Sequence, residues 1–248
     1  MDTHLLEVSE LTGGYDVRRP VIRDVSFYVD KREIVGLIGM NGAGKSTTIK
    51  HILGLMQPTS GLITLNGKTI DEDQAGFRSQ VAYIPETPQL YAELTLFEHL
   101  ELTAMAYQLD EQTFRTRAEE LLEEFNMQKM AKWFPSTFSK GMQQKVMIMC
   151  ALLVRPALLI VDEPFVGLDP LATRSLLTLF EQLKQQGTGI LMSTHMLGTA
   201  ERYSDHFVLL HEGRVRLKGT LAQMRDQAGI PDGSLEDLFI EMAKEHPA

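Results

Sequence analysis

One cysteine, one tryptophan and a shortage of positive charge set the first limits on this chain of 248 residues. The lone thiol, Cys150, rules out an internal disulfide and suits a reducing compartment. It lies in the apolar run 146–154, where a packed core thiol is expected rather than a reactive one. No uninterrupted apolar stretch of about 18 residues occurs, so no segment reads as a membrane-spanning helix. The opening Met1-Asp2-Thr3-His4-Leu5-Leu6-Glu7 is acidic and short of apolar residues, unlike a signal peptide. The sequence therefore predicts a cytoplasmic protein whose membrane role, if any, comes through a partner. Lys and Arg number 24 against 33 Asp and Glu, a net charge of −9. Nucleic-acid backbones require clustered cations, so no nucleic-acid partner is expected. Internal repeats and low-complexity tracts are absent as well. With 44% hydrophobic residues the chain can still bury a sizeable core.

What is present begins with Gly39-Met40-Asn41-Gly42-Ala43-Gly44-Lys45-Ser46, a complete G-x-x-x-x-G-K-[ST] phosphate-binding pattern followed by Thr47. The apolar segment 34–38 ahead of it reads as a buried strand, and 47–55 behind it reads as a helix. That strand–loop–helix setting is what the pattern requires. Glycines let successive N–H groups turn inward around an anion, and the helix N-terminus adds partial positive charge. Lys45 is expected to reach the β- and γ-phosphates and the Ser46 hydroxyl to ligate Mg²⁺.

Elsewhere, segments 6–11 and 21–29 alternate apolar and polar residues like half-exposed antiparallel strands, with Tyr15 on the turn between them. Segment 61–68 reads as a strand ending in the Asn66-Gly67 turn, and 81–85 as a short strand stopped by proline. Helical spacing covers about 95–126 and 138–154. Apolar strands then return at 158–161, 189–193 and 207–210, separated by helical stretches such as 171–186. Such alternation predicts a parallel sheet covered on both faces. The expected fold is an α/β P-loop NTPase core with a parallel sheet, an N-terminal antiparallel β subdomain and an inserted helical subdomain. The expected organisation is one domain over 1–248, with the helical insertion at about 87–155 and a short C-terminal helical extension at about 220–248.

Two further constellations bear chemistry. The strand 158–161 ends in Asp162-Glu163, placing two carboxylates where Asp162 can hold Mg²⁺ and Glu163 can act as general base on a water. Phe138-Ser139-Lys140-Gly141-Met142 opens a helix with a free hydroxyl. A Ser N-cap is the commoner meaning of such a segment, but it also suits an anion. A second phosphate cradle in a chain that already has one makes sense if two copies face each other head to tail.

In the order and separation of these elements the chain resembles the ATP-binding subunit of an ABC transporter, over nearly its whole length. The resemblance implies ATP as nucleotide, an ATPase activity, a second copy closing a nucleotide-sandwich dimer, and an integral membrane transporter subunit as partner on the inner face of the membrane. It implies that Tyr15 stacks on adenine and that Glu86 takes the place of the glutamine lever beside Mg²⁺. It also implies that Ser139 and Gly141 form the signature motif, that Asp169 lies in the intersubunit loop, and that His195 is the switch histidine. Two departures stand out: the usual L-S-G-G-Q is Phe138-Ser139-Lys140-Gly141-Met142 here, and the lever glutamine is Glu86. Both fit the exporter branch with compact membrane subunits. Segments 85–91 and 133–135 look most like the ATPases of Ecs-type transporters. A non-transport relative acting on DNA or the ribosome is the alternative. The Lys45–Ser139 interval leaves no room for a long coiled coil, and one phosphate loop argues against tandem ATPase domains.

Overall fold

The computed structural model describes residues 4–165 and 170–245. The chain opens with strands β1 (Leu6–Gly13) and β2 (Ile22–Val29), then β3 (Ile34–Ile38), helix α1 (Lys45–Ile52) and β4 (Ser60–Leu65). Alternate residues of β1 and β2 are buried, whereas every residue of β3 is. The first pattern belongs to a sheet with one covered face, the second to a strand covered on both. Asn66 and Gly67 carry φ of 49° and 77°, as a tight hairpin turn requires. Next come α2 (Gln74–Ser79), β5 (Val81–Ile84), α3 (Leu96–Ala106), α4 (Glu111–Glu124), α5 (Lys140–Leu153), β6 (Leu158–Asp162), α6 (Pro170–Gln186) and β7 (Gly189–Thr194). The chain continues through α7 (Leu197–Tyr203), β8 (His206–His211), β9 (Arg214–Gly219), α8 (Leu221–Ala228) and α9 (Leu235–Glu245).

Two sheets result. A three-stranded antiparallel sheet runs β2-β1-β4, and a six-stranded sheet runs β5-β6-β7-β3-β8-β9. The five strands β5 to β8 of the larger sheet are parallel, and β9 closes its edge antiparallel to β8. Strand β9 was not expected from the sequence, because its charged residues and single Val and Leu give it no apolar run. Helix α1 also stops earlier than the apolar spacing suggests, at Ile52, since Gly54 takes a left-handed φ of 68°. Side-chain caps fix the helix starts that frame the site: Thr95 and Glu98 form a capping box on α3, Asp110 caps α4 and Ser139 caps α5.

The helices α3–α5 share one apolar cluster with one face of the larger sheet, through residues such as Leu100, Phe114, Val146 and Leu159. The other face joins the antiparallel sheet and α1 in a second cluster, through Val8, Phe27, Ile49 and Ile160. Among the described residues no helix is long and apolar enough to cross a membrane. Cys150 packs against the first cluster. Burial pushes its thiol up to about 11, with the Thr103 hydroxyl opposing the shift. Iodoacetamide at pH 8 should leave Cys150 unmodified in the folded protein and label it only in denaturant, as read by intact mass.

Candidate functional site

The phosphate-binding pattern forms the turn between β3 and α1, at the C-terminal edge of the parallel strands. Gly44, the N-cap of α1, has φ 109°, and a Cβ there would lie 2.6 Å from Ile22 Cγ2. Only glycine fits both the backbone and the space. Lys45 is buried and folds back over the turn, its Nζ donating to Gly39 O at 2.8 Å and Met40 O at 3.4 Å. Met40, Asn41, Gly42 and Ser46 are exposed, while Gly39, Ala43 and Thr47 are buried. The turn is braced from behind: Gly213 N donates to Ala43 O at 3.0 Å, and Arg23 N donates to Gly213 O at 2.8 Å.

Strands β6 and β7 pair Asp162 with Ser193. Ser193 Oγ donates to Asp162 Oδ1 at 2.5 Å, and both residues are buried. One residue on, Glu163 N donates to Ser193 O at 3.0 Å, and Glu163 adopts a left-handed φ of 47°. An L-residue in that region is sparsely populated and is held there by its surroundings. The turn directs the Glu163 carboxylate to both neighbours. Its Oε1 lies 3.3 Å from Lys45 Nζ, and its Oε2 is 2.8 Å from His195 Nδ1 and accepts from His195 N at 3.3 Å. Lys45, Asp162, Glu163 and His195, about 150 residues apart at the extremes, thus meet at one strand edge. His195 is half exposed, so one face of this cluster is open.

Glu86 lies exposed just after β5. Its neighbour Tyr83 is half-buried, and its hydroxyl is pushed up to about 12, first by burial and then by the negative charges of Asp162 and Glu86. The two carboxylates therefore act on a common point. Tyr15 is 70% exposed, and Lys50 Nζ sits 3.0 Å from its hydroxyl and 5.2 Å from its ring centre. That hydrogen bond is the main cause of a lowered Tyr15 pKa.

Ser139 and Gly141 are not brought to the phosphate loop within the chain. Ser139 caps α5 through its bond from Met142 N, and both residues line a cleft of about 540 Å³ between α5 and α6. Asp169 lies outside the described residues. Sequence reasoning missed Ser193, Lys50 and Tyr83. Ser193 has no motif of its own and is found only through strand register. Lys50 sits five residues past the loop lysine, where a helix surface lysine is unremarkable, and Tyr83 reads as a strand aromatic.

A family model described as ABC transporter matches residues 22–166. The chain belongs to the ABC transporter ATP-binding proteins. It is 61% identical over 241 residues to the ABC-type transporter ATP-binding protein EcsA of Bacillus subtilis (strain 168), covering 97% of each chain. It is 44% identical over 237 residues to the uncharacterized ABC transporter ATP-binding protein YthP of the same organism, covering 96% of each. A solved structure described as the ATP binding subunit of an ABC transporter superposes with a TM-score of 0.91 at 55% identity, covering 96% of this chain and 99% of that one. As an ABC protein of this class the chain is an ATPase, and the mixed sheet with its separate antiparallel sheet is the ABC ATPase fold.

Proposed function

We propose that this ABC ATPase is the motor of a membrane exporter, working as a head-to-tail pair that closes on two ATP molecules. The carrying observation is the separation of two anion-binding features on one chain. Lys45, Glu163 and His195 converge at the strand edge, while Ser139 and Gly141 open α5 beside a different cleft. A second copy supplies Ser139 and Gly141 to the open side of the first. In this reading the N–H groups of 39–47 cradle the phosphates, Lys45 neutralises their charge, and His195 contacts the γ-phosphate. Glu163 accepts the proton of the attacking water.

The donor set fits Mg²⁺. Among the described residues no group of three or more His, Cys, Asp and Glu could hold a metal ion, and Mg²⁺ with a nucleotide needs one or two protein oxygens beside phosphates and water. A hydroxyl at Ser46 and the buried Asp162 carboxylate would hold it, with Glu86 close by. When bound, it would neutralise charge developing on the phosphates.

For the membrane subunit we propose the cleft of about 780 Å³ that Leu53, Leu55, Phe77, Tyr83 and Tyr107 line. Leu55 at its rim is 68% exposed. A short amphipathic helix fits such a groove, and Tyr83 connects it to the charges of Asp162 and Glu86. The α3–α5 segment would move as a subdomain against the sheet when the pair closes. In this reading the chain works on the inner face of the membrane. The outward direction rests on the Lys140 signature and Glu86, shared with the exporter branch that the chain resembles. Purified from membranes, the tagged chain should carry a multi-span membrane protein in stoichiometric amount; stable recovery with ribosomes or DNA instead would overturn the proposal.

Tyr15 offers a separate check. As the ring that stacks on adenine, it should be worth about 1–3 kcal/mol of binding. Tyr15→Ala is therefore expected to weaken ATP binding about ten-fold or more by fluorescence titration. Because Tyr15 is exposed, the thermal midpoint should stay unchanged.

A further inference from the structure

We infer that Ser193 is a positioning residue for the metal-binding carboxylate: its buried hydroxyl fixes Asp162 so that one carboxylate oxygen is committed and the other is left to the metal–water shell. The inference rests on the reading of Asp162 as the Mg²⁺ residue and deepens it. Ser193 is 0% exposed, in the fully buried strand β7 between Met192 and Thr194. A hydroxyl in that setting needs a partner, and the parallel register puts Asp162 directly across from it. The bond to Oδ1, at 2.5 Å, is in the range of a hydroxyl donating to an ionised carboxylate. It fixes the carboxylate's rotation at the buried end of the strand.

The same residue also holds the next acid. Ser193 O accepts Glu163 N at 3.0 Å, at the point where Glu163 turns left-handed. Side chain and main chain of Ser193 therefore orient the two adjacent carboxylates separately. Only the first link depends on the hydroxyl, so a substitution that keeps the strand but removes the hydroxyl tests Asp162 alone.

Three variants of the full chain separate the possibilities. Ser193→Val removes the hydroxyl and introduces a β-branched side chain suited to a strand, Ser193→Thr introduces the same branching but keeps the hydroxyl, and Asp162→Asn is the control. Two quantities are measured: affinity for a fluorescent ATP analogue in EDTA, and the Mg²⁺ concentration that half-saturates its metal-dependent affinity. Outer partners of metal ligands typically tune metal affinity about 10–100-fold. Ser193→Val is expected to raise the half-saturating Mg²⁺ about ten-fold and leave metal-free binding unchanged, with Ser193→Thr restoring it to within about three-fold. Mn²⁺ bound in the presence of ADP, counted by electron paramagnetic resonance, should weaken in parallel. If Asp162→Asn shifts the Mg²⁺ requirement and Ser193→Val does not, the inference on Ser193 fails alone. If neither shifts it, the assignment of Asp162 fails and takes the inference with it. Equal loss in Val and Thr variants, or loss of metal-free binding in Val, would make Ser193 a packing residue and overturn the inference.

Discussion

Glu163→Gln should bind ATP as tightly as the parent and hydrolyse it at least about 100-fold more slowly, the loss expected when a general base is removed. The amide keeps the shape and the reach of the carboxylate. It cannot take a proton from water, and it no longer offers Lys45 a charge across 3.3 Å. With nucleotide bound and not turned over, the pair of copies should persist. Size-exclusion chromatography with MgATP should then show a dimer for the variant and a monomer when nucleotide is removed. Turnover at the parental rate would strip Glu163 of its role. A slow variant that never dimerises would leave the base in place and remove the sandwich.

Lys45→Ala is expected to abolish measurable nucleotide binding, a larger effect on affinity than any other single change in the loop. Lys45 is buried and spans two carbonyls of the turn and the Glu163 carboxylate. Its loss removes the cation facing the phosphates and leaves a buried carboxylate with His195 as its remaining partner. Breaking one side of a buried pair costs about 3 kcal/mol, so the variant should also melt at lower temperature. The sharper reading is ligand stabilisation. ATP at about one hundred times its Kd stabilises the parent by about 2.7 kcal/mol, and the variant should show no shift in thermal midpoint. A preserved shift would mean that the backbone amides alone hold the nucleotide.

The parts of the site legible in the sequence are those whose chemistry is local. Residues 39–46 carry their own geometry, since the glycines, the lysine and the flanking strand and helix are contiguous. Asp162 and Glu163 announce themselves because an apolar strand ends abruptly in two acids. Ser193 was silent for the opposite reason: a serine inside Leu-Met-Ser-Thr is informative only once β6 lies beside β7 in a fixed register. Lys50 could not be linked to Tyr15 from spacing, because the contact crosses from a helix to a turn 35 residues earlier. Strand β9 escaped notice because an edge strand needs few apolar residues, and its place follows from its pairing with β8 and from the Arg214–Asp24 and Lys218–Ser26 contacts with β2. The overall layering was legible because fully apolar strands and alternating strands are different patterns, and each found its expected sheet.

The bracing of the phosphate loop by Gly213 has a consequence for when the protein becomes competent. Val21 to Arg23, Ala43 and Gly213 meet at one point, and Leu210 O closes on Gly39 so tightly that a Cβ there would lie 2.4 Å away. The strands flanking β3 are β7 and β8, both from the last quarter of the sequence. Contacts of such long sequence separation form late. A nascent chain that has already emerged as far as Ser46 thus carries every residue of the loop, and Val21 to Arg23 beside it, but neither Leu210 nor Gly213. The cradle matures only after the β8–β9 hairpin has been made, so nucleotide capture in the cell reports on completion of the six-stranded sheet.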